Sequence, residues 1–196
     1  MLRAPSFRTT RLSYRALEPS DADFIKQMYS DPQTELSGLG GPTVPWSTNT
    51  AEETVAVVGK SRLAVIICMS VGGVEQKETP VGWMRLSDAP AYSPHRCASF
   101  GIFFVAEHCV LLLFLTSFPA QLTLEAAQGK GYGSEALQWL LETAFLRFGY
   151  HRVECGAFAW NAGAIKLYKK LGFVEEGRKR ERLFQEGTWQ DEVLLY

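Results

Sequence analysis

A glycine-rich stretch at residues 128–134 carries the strongest chemical signal in the chain. It consists of Gln128, Gly129, Lys130, Gly131, Tyr132, Gly133 and Ser134. Glycine reaches the positive φ angles that turn successive N–H groups toward one point, and a helical pattern of apolar residues starts directly afterwards. The unpaired N–H groups at the start of that helix, and the positive end of its dipole, favour a negatively charged ligand at the same point. The stretch therefore predicts an anion site, with a pyrophosphate group as its natural occupant.

Two common pyrophosphate-binding motifs do not fit this stretch. A P-loop ends in Gly-Lys-Ser/Thr after four intervening residues, and the dinucleotide fingerprint needs G-x-G-x-x-G with an acidic residue about 20 positions later. The order of Gln128, Gly131 and Gly133 instead resembles the Q/R-x-x-G-x-G/A signature of the GCN5-related N-acetyltransferases. An incidental glycine-rich helix start is the alternative, since glycine is common at turns.

A second motif runs without a gap from Asn161 to Phe173 and resembles the N-x-x-A-x-x-L-Y-x-x-x-G-F pattern of the same family. From the residues alone, Asn161 is a helix N-cap candidate and Gly172 marks the helix end. A tyrosine on the apolar face of a helix usually belongs to the core. The resemblance instead implies that Tyr168 faces the sulfur of a coenzyme.

The resemblance covers essentially the whole chain and implies a single domain over residues 1–196. The implied architecture is α/β: the acyl-CoA N-acyltransferase fold, a mixed central sheet of about six to seven strands with helices on both faces. In that fold the fourth and fifth strands splay apart. The implied co-substrate is acetyl-CoA, and no metal is implied.

The resemblance also assigns roles to individual residues. The pyrophosphate would be held by main-chain N–H groups of the glycine-rich stretch, namely those of Gln128, Gly129, Lys130, Gly131, Tyr132, Gly133 and Ser134. Free amides of a bulged fourth strand, at Phe103, Phe104 and Val105, would bind the thioester oxygen and the pantetheine arm. Asn161 would bind the pantetheine, and Tyr168 would donate its phenolic proton to the sulfur.

The general base is less well marked. Glu154 precedes Gly156 by two residues on the fifth strand, where some amino-terminal acetyltransferases of this family carry a glutamate. The register departs by two positions, but side chains alternate along a strand, so Glu154 stays on the same face. An ion-paired surface glutamate is the alternative, and a water chain to backbone carbonyls could replace the base.

The acceptor is implied to be a primary amine, either on a small molecule or at a protein N-terminus. The family builds its acceptor groove from the segments that correspond here to residues 31–47 with Trp46, and 178–189. The first strand and following helix are most similar to the branch of ribosomal-protein amino-terminal acetyltransferases. A non-catalytic acyl-CoA-binding or interaction module of the same fold is the alternative function.

Composition agrees with an ordinary enzyme domain. The chain has 196 residues, a net charge of −1 and 46% hydrophobic residues, which disfavours nucleic-acid binding through charge. The four cysteines form no C-x-x-C pair, so neither zinc nor a disulfide framework is predicted. We expect a cytoplasmic monomer or homodimer without membrane attachment. The first 17 residues carry arginines and no acid, as mitochondrial targeting sequences do, but residues 10–17 alternate as a strand.

The local patterns predict the elements in order. Strands are expected at residues 11–17, 63–71, 81–87, 98–105, 152–158, 173–184 and 188–195, with a hairpin turn at 185–187. Helices are expected at 21–30 with Ser20 as cap, from a cap near Thr50 to about 60, from 134 to about 148, and from Asn161.

Residues 109–127 do not fit this order. Joining His108 directly to Gln128 restores a continuous family motif, so the segment is interpreted as an insertion. It is a hairpin or lid, an alternative splice form, or a short in-frame intron translated by a wrong gene model. The third explanation is favoured, because the exposed apolar run at 110–115 would promote aggregation. That run is too short to cross a bilayer, which takes about 20 apolar residues.

Overall fold

The computed structural model describes residues 6–30, 44–71, 77–88, 95–105, 130–185 and 187–196. The interpreted insertion at 109–127 lies outside the described residues, as do Gln128, Gly129, and residues 31–43 of the expected acceptor groove.

The chain forms seven strands and four α-helices within these ranges. The strands are β1 (Leu12–Ala16), β2 (Leu63–Val71), β3 (Lys77–Asp88), β4 (Cys97–Phe104), β5 (Arg152–Phe158), β6 (Glu175–Gln185) and β7 (Thr188–Leu195). The helices are α1 (Ala22–Tyr29), α2 (Thr48–Val58), α3 (Tyr132–Glu142) and α4 (Ala162–Lys170). A 3-10 turn (Pro19–Asp21) precedes α1, and a π-helical turn (Thr143–Arg147) follows α3.

The strands form one mixed sheet in the order β1-β2-β3-β4-β5-β7-β6. Neighbouring strands are antiparallel except for β4 and β5, which are parallel. This architecture confirms the predicted fold class.

β4 and β5 are paired only at their beginnings. Their ladder joins Cys97 to Arg152, Ala98 to Val153 and Ser99 to Glu154, and then stops. Beyond that point β4 continues on β3 as far as Phe104, while β5 pairs with β7. The sheet therefore opens into a V between β4 and β5, called the splay below, and backbone groups of β4 that face it have no strand partner there.

Helices cover both faces of the sheet. The ring of Tyr168 in α4 lies edge-on against Phe100, whereas the ring of Tyr29 in α1 lies edge-on against Phe103. Phe100 and Phe103 are an odd number of positions apart on β4, so their side chains point to opposite faces. Trp139 of α3 stacks on Tyr14 at 4.0 Å between ring centroids. We call the face on which the Phe100 side chain lies the α3/α4 face, and the face on which the Phe103 side chain lies the α1/α2 face.

Both layers are anchored by fully buried apolar side chains. Side chains with 0% exposure include Met28, Ile66, Met84, Leu86, Leu137 and Leu140. Burying one such side chain stabilises the fold by about 1.5–3 kcal/mol. No helix among the described residues has the length and apolar content needed to cross a membrane.

Two of the predicted helix caps are wrong. Ser20 does not cap α1, because a 3-10 turn with a capping box between Glu18 and Asp21 begins the helix instead. The buried Asp21 carboxylate accepts the Glu18 N–H at 2.9 Å and an Arg15 N–H at 2.6 Å. The second cap is Ser47 rather than Thr50, and its hydroxyl accepts the Thr50 N–H at 3.0 Å.

Helical structure after the glycine stretch continues to Arg147, close to the expected end near residue 148. Only the part up to Glu142 is α-helical, and the π-helical turn leaves Phe145 and Leu146 43% and 81% exposed. The Asn161 cap is confirmed, since its Oδ1 accepts the Ala164 N–H at 3.0 Å.

Candidate active site

The described end of the glycine stretch forms the start of α3. Gly131 is the N-cap residue, with a left-handed φ of +82°. Its carbonyl accepts the Glu135 N–H at 3.1 Å, which begins the helical ladder. The N–H groups of Tyr132, Gly133 and Ser134 precede that bond and have no intrahelical acceptor. The junction therefore offers converging donors at the positive end of a helix dipole.

An arginine from β1 braces this junction. Arg11 Nη1 donates to the Lys130 carbonyl at 2.8 Å, and Arg11 Nε donates to Glu135 Oε2 at 2.7 Å. The guanidinium carbon also lies 4.5 Å from the centre of the Tyr132 ring. Thr9 Oγ1 donates to Glu135 Oε1 at 2.6 Å. Burial acts to raise the pKa of Glu135, but the hydrogen bonds from Thr9 and Arg11 outweigh it and the pKa is lowered.

Sequence reasoning did not identify Arg11 or Glu135. An acid in the first turn after the glycine stretch is visible in the sequence, but its partner lies 124 positions earlier. Only the folded arrangement brings β1 against the start of α3.

The register of β3 and β4 determines which amides face the splay. The Val105 N–H donates to the Val81 carbonyl at 2.9 Å, so it is not free, and the expectation of a free amide there is wrong. Hydrogen-bonded pairs alternate along an antiparallel ladder, so Phe103 pairs with Trp83 in the same way, and the expectation of a free amide at Phe103 is wrong as well. The amides of Phe104 and Ile102 therefore point away from β3, into the splay. Phe104 was predicted; Ile102 was missed, because the alternation becomes visible only from the register.

Tyr168 lies at the narrow end of the splay, on the α3/α4 face. Its ring is 5.5 Å from Phe100 and 5.8 Å from Phe173, measured between centroids, and it is 8% exposed. Burial and the nearby Cys155 raise the pKa of the phenol above its ordinary value. No described residue forms a hydrogen bond with the Tyr168 hydroxyl. At neutral pH the phenol is therefore protonated.

Cys155 is the thiol closest in sequence to the end of the β4–β5 ladder. It is 7% exposed, and burial, together with Glu154, raises the pKa of its thiol to about 12. Because the thiolate is the nucleophilic form of cysteine, a thiol with this pKa is a poor acyl acceptor. An acetyl-cysteine intermediate at this position is therefore disfavoured.

Glu154 lies on the opposite face from Tyr168. It pairs with Ser99 in the last step of the β4–β5 ladder, so both side chains share the α1/α2 face with Phe103. Arg152 Nε donates to Glu154 Oε2 at 3.3 Å, and Arg152 also pairs closely with Glu176. The carboxylate is thus ion-paired, as the alternative interpretation of this residue expected. Its role as general base stays a prediction.

Two further observations concern other possible sites, namely a cavity elsewhere in the fold and clusters of metal-binding side chains. An apolar cavity of about 340 Å³ lies at the far ends of α3 and α4, lined by residues that include Leu141, Phe145, Val153 and Phe173. It contains neither the α3 start nor the splay. No group of three or more His, Cys, Asp or Glu side chains that could hold a metal ion occurs among the described residues.

Comparisons with known proteins agree with this arrangement. Residues 11–174 match the family model described as acetyltransferase (GNAT) domain. A prophage-derived uncharacterized N-acetyltransferase of Bacillus subtilis is 33% identical over 71 residues, which cover 36% of this chain and 40% of that protein. The spermidine N(1)-acetyltransferase of Vibrio cholerae is 29% identical over 102 residues, covering 52% and 48%. The chain spans less than half the length of these two relatives.

Solved structures share the fold across nearly the whole chain. The Vibrio cholerae spermidine N-acetyltransferase in complex with CoA and spermine has a TM-score of 0.71 at 23% identity, covering 95% of both chains. A GNAT-family acetyltransferase from Bacillus anthracis has a TM-score of 0.69 at 18% identity, covering 96% of this chain and 95% of that one. Together with the family match over most of the chain, the splay and the glycine junction lead to one conclusion: this chain belongs to the GNAT acetyltransferase family.

Proposed function

We propose that the protein is an acetyl-CoA-dependent N-acetyltransferase that acts by direct attack of a primary amine in a ternary complex. One observation carries this proposal: the glycine junction adjoins the open part of β4. A Cβ on Gly133 would stand 3.9 Å from the Phe104 ring and 3.2 Å from the Leu167 side chain of α4. The start of α3, the open part of β4 and the helix that carries Tyr168 therefore lie together, which supports placing the pyrophosphate and the thioester of one coenzyme there.

The chemistry assigned to each group follows from acyl transfer. The thioester carbonyl would lie in the splay, where the amides of Ile102 and Phe104 can stabilise the negative charge that develops on its oxygen. The amine nitrogen forms a bond to the carbonyl carbon and the carbon–sulfur bond breaks. Tyr168 gives its proton to the departing sulfur, while the proton of the amine leaves through Glu154 or a water chain.

The two faces of the sheet would take different substrates. A coenzyme whose pyrophosphate is bound at the start of α3 occupies the α3/α4 face. The amine must then approach the carbonyl from the α1/α2 face, through the opening between β4 and β5. Glu154 lies on that second face, where its carboxylate is a candidate to take up the proton of the amine.

For the acceptor, we favour a small-molecule amine over a protein N-terminus. The two relatives reported above whose names give a substrate are spermidine acetyltransferases, and none of those reported is described as acting on ribosomal proteins. The expected branch of ribosomal-protein amino-terminal acetyltransferases is therefore not supported, although the family itself is confirmed. A cytoplasmic location and a monomeric or homodimeric state stay predictions.

The test is amine-dependent release of coenzyme A. Free thiol would be measured with acetyl-CoA and a panel of polyamines, amino acids, arylalkylamines and short peptides, and the N-acetyl product would be identified by mass spectrometry. We expect at least one amine to give stoichiometric thiol and acetylated product. Tight acetyl-CoA binding without acetylation of any amine would instead favour the alternative, a non-catalytic acyl-CoA-binding module.

A further inference from the structure

Arg85 differs from the other half-buried arginines that the structure describes. Arg15 binds Asp21 at 2.6 Å and Arg152 binds Glu154 at 3.3 Å. Arg85 is buried to a similar degree, yet no described carboxylate lies within ion-pair distance of it. A partly desolvated guanidinium is stabilised by a carboxylate partner, which a bound ligand can supply.

The position of Arg85 places it on the amine side of the splay. It pairs with Gly101 on β4, and Trp83 pairs with Phe103 two residues along, so all four share the α1/α2 face. A Cβ on Gly101 would stand 3.6 Å from Arg85 Nε and 3.1 Å from the Phe103 ring. The absence of a side chain at Gly101 therefore lets the Arg85 guanidinium and the Phe103 ring lie close together beside the splay amides of β4.

Buried aromatic side chains lie next to Arg85. Trp83 is only 3% exposed and stacks on Phe103 at 4.6 Å, and Tyr29 lies edge-on to both rings. Burial raises the pKa of the Tyr29 phenol, while the Trp83 N–H and the Arg85 charge beside it act to lower it. The Arg85 guanidinium therefore lies beside an apolar aromatic cluster.

Resting on the proposed N-acetyltransferase function, we infer that the acceptor is an amino acid or a close analogue: a primary amine with a carboxylate a few bonds away and an apolar side chain. Arg85 would bind the carboxylate, and Phe103 with its aromatic neighbours would pack against the side chain. The amine would then lie toward the splay and Glu154. A polyamine has no group that Arg85 could bind, and its positive charges would be repelled there.

The experiment compares acceptors that differ only in the carboxylate. Initial rates would be measured with L-phenylalanine against phenethylamine, L-tryptophan against tryptamine, and spermidine. We expect kcat/KM to be about 10- to 100-fold higher for each amino acid than for its decarboxylated partner, the range expected for one hydrogen-bonded charge pair. Equal values within each pair, or a preference for spermidine, would overturn the inference while leaving acetyltransferase activity intact.

Substitutions assign the effect to Arg85. Arg85→Gln should lower kcat/KM for the amino acids by about 10- to 100-fold and leave the decarboxylated amines within about threefold. Arg85→Lys should recover part of the loss, and acetyl-CoA affinity should be unchanged in both variants. An equal loss on amino acids and amines would mean that Arg85 has a structural role only. Failure of every amine to be acetylated by the wild-type protein would overturn both the inference and the proposed function.

Discussion

The candidate sites on the two faces of the sheet offer different kinds of contact to a ligand. On the α3/α4 face, the donors are main-chain N–H groups at the start of α3 and along β4, fixed by a left-handed glycine and by strand register. On the α1/α2 face, the candidate contacts are side chains of Arg85, Phe103 and Glu154 on three different strands. Contacts made by main-chain groups are kept when most side chains are substituted, whereas a contact made by a side chain is lost when that one residue is replaced. The candidate coenzyme site is therefore constrained by backbone geometry, whereas the candidate acceptor site is open to variation.

The largest effect is expected from placing a branched side chain in the main-chain site. Gly131→Val forces a β-branched residue into a φ of +82° and moves the N–H groups away from the phosphate. We expect acetyl-CoA affinity to fall by more than about 100-fold, measured by calorimetry. Gly172→Val is the matched control, because Gly172 has a φ of +97° with no atom within 4 Å of the added Cβ. It should lose stability but keep coenzyme affinity; unchanged affinity in folded Gly131→Val would remove the pyrophosphate assignment.

Tyr168→Phe separates binding from rate on the α3/α4 face. The ring packing is kept and the proton donor is lost, so turnover should fall by roughly 10- to 10⁴-fold with little change in coenzyme affinity. Tyr150→Phe removes a hydroxyl that donates to Asp88, away from the splay, and should leave turnover unchanged. If Tyr168→Phe is as fast as the parent, Tyr168 is only a core residue.

The pH profile tests the same residue without a mutation. Burial raises the pKa of Tyr168 above the ordinary tyrosine value of about 10, so its phenol stays protonated while the amine loses its proton. The rate should rise from neutral to alkaline pH without a falling limb below about pH 10. A decline near pH 8 would show that another acid donates the proton.

A smaller effect is expected at the brace between β1 and α3. Arg11→Met removes the hydrogen bond to the Lys130 carbonyl and the ion pair with Glu135, so acetyl-CoA should bind about 5- to 30-fold more weakly. Arg62→Met changes an exposed arginine beside Phe148 and is the control. Equal affinity of the two variants would show that the junction needs no brace.

The same ion pair predicts an acid-dependent stability. The pKa of Glu135 is lowered in the folded protein, so its contribution is complete above the unfolded pKa of about 4.3 and is lost as pH falls through the lower folded value. The stability deficit of Arg11→Met should therefore be largest at neutral pH and shrink below pH 4, as measured by thermal unfolding.

The smallest effect is expected at Glu154. Arg152 already pairs with this carboxylate, and water can take up the proton of the amine, so Glu154→Gln should lower turnover by less than about tenfold. Glu142→Gln, on the exposed end of α3, is the control. A loss above about 100-fold, with a changed acidic limb of the pH profile, would make Glu154 the general base.

Many elements around the candidate coenzyme site could be predicted, because the sequence patterns that indicate them are local. The strands at Leu63–Val71, Arg152–Phe158 and Thr188–Leu195 have the predicted bounds, and the Asn161 cap is in place. Gly131 begins α3 where the glycine stretch meets the apolar pattern. Each of these features depends on residues within a few positions of one another.

The acceptor face was not predictable, because it depends on pairing between distant segments. Ile102 faces the splay only because Val105 bonds to Val81, and Arg85 lies beside Phe103 only because it pairs with Gly101. Shifting that register by one residue would turn each of these groups to the opposite side. The Ser20 cap failed for a related reason, since Asp21 is held by Arg15 from β1.

The central claim, direct attack across the splay, is tested most directly by initial-rate kinetics with acetyl-CoA and the best amine both varied. A ternary complex predicts intersecting double-reciprocal lines and no acetylated enzyme, in keeping with the buried Cys155 thiol whose pKa is about 12. Parallel lines, together with mass-spectrometric detection of an acetyl group on Cys155 when the amine is left out, would contradict it.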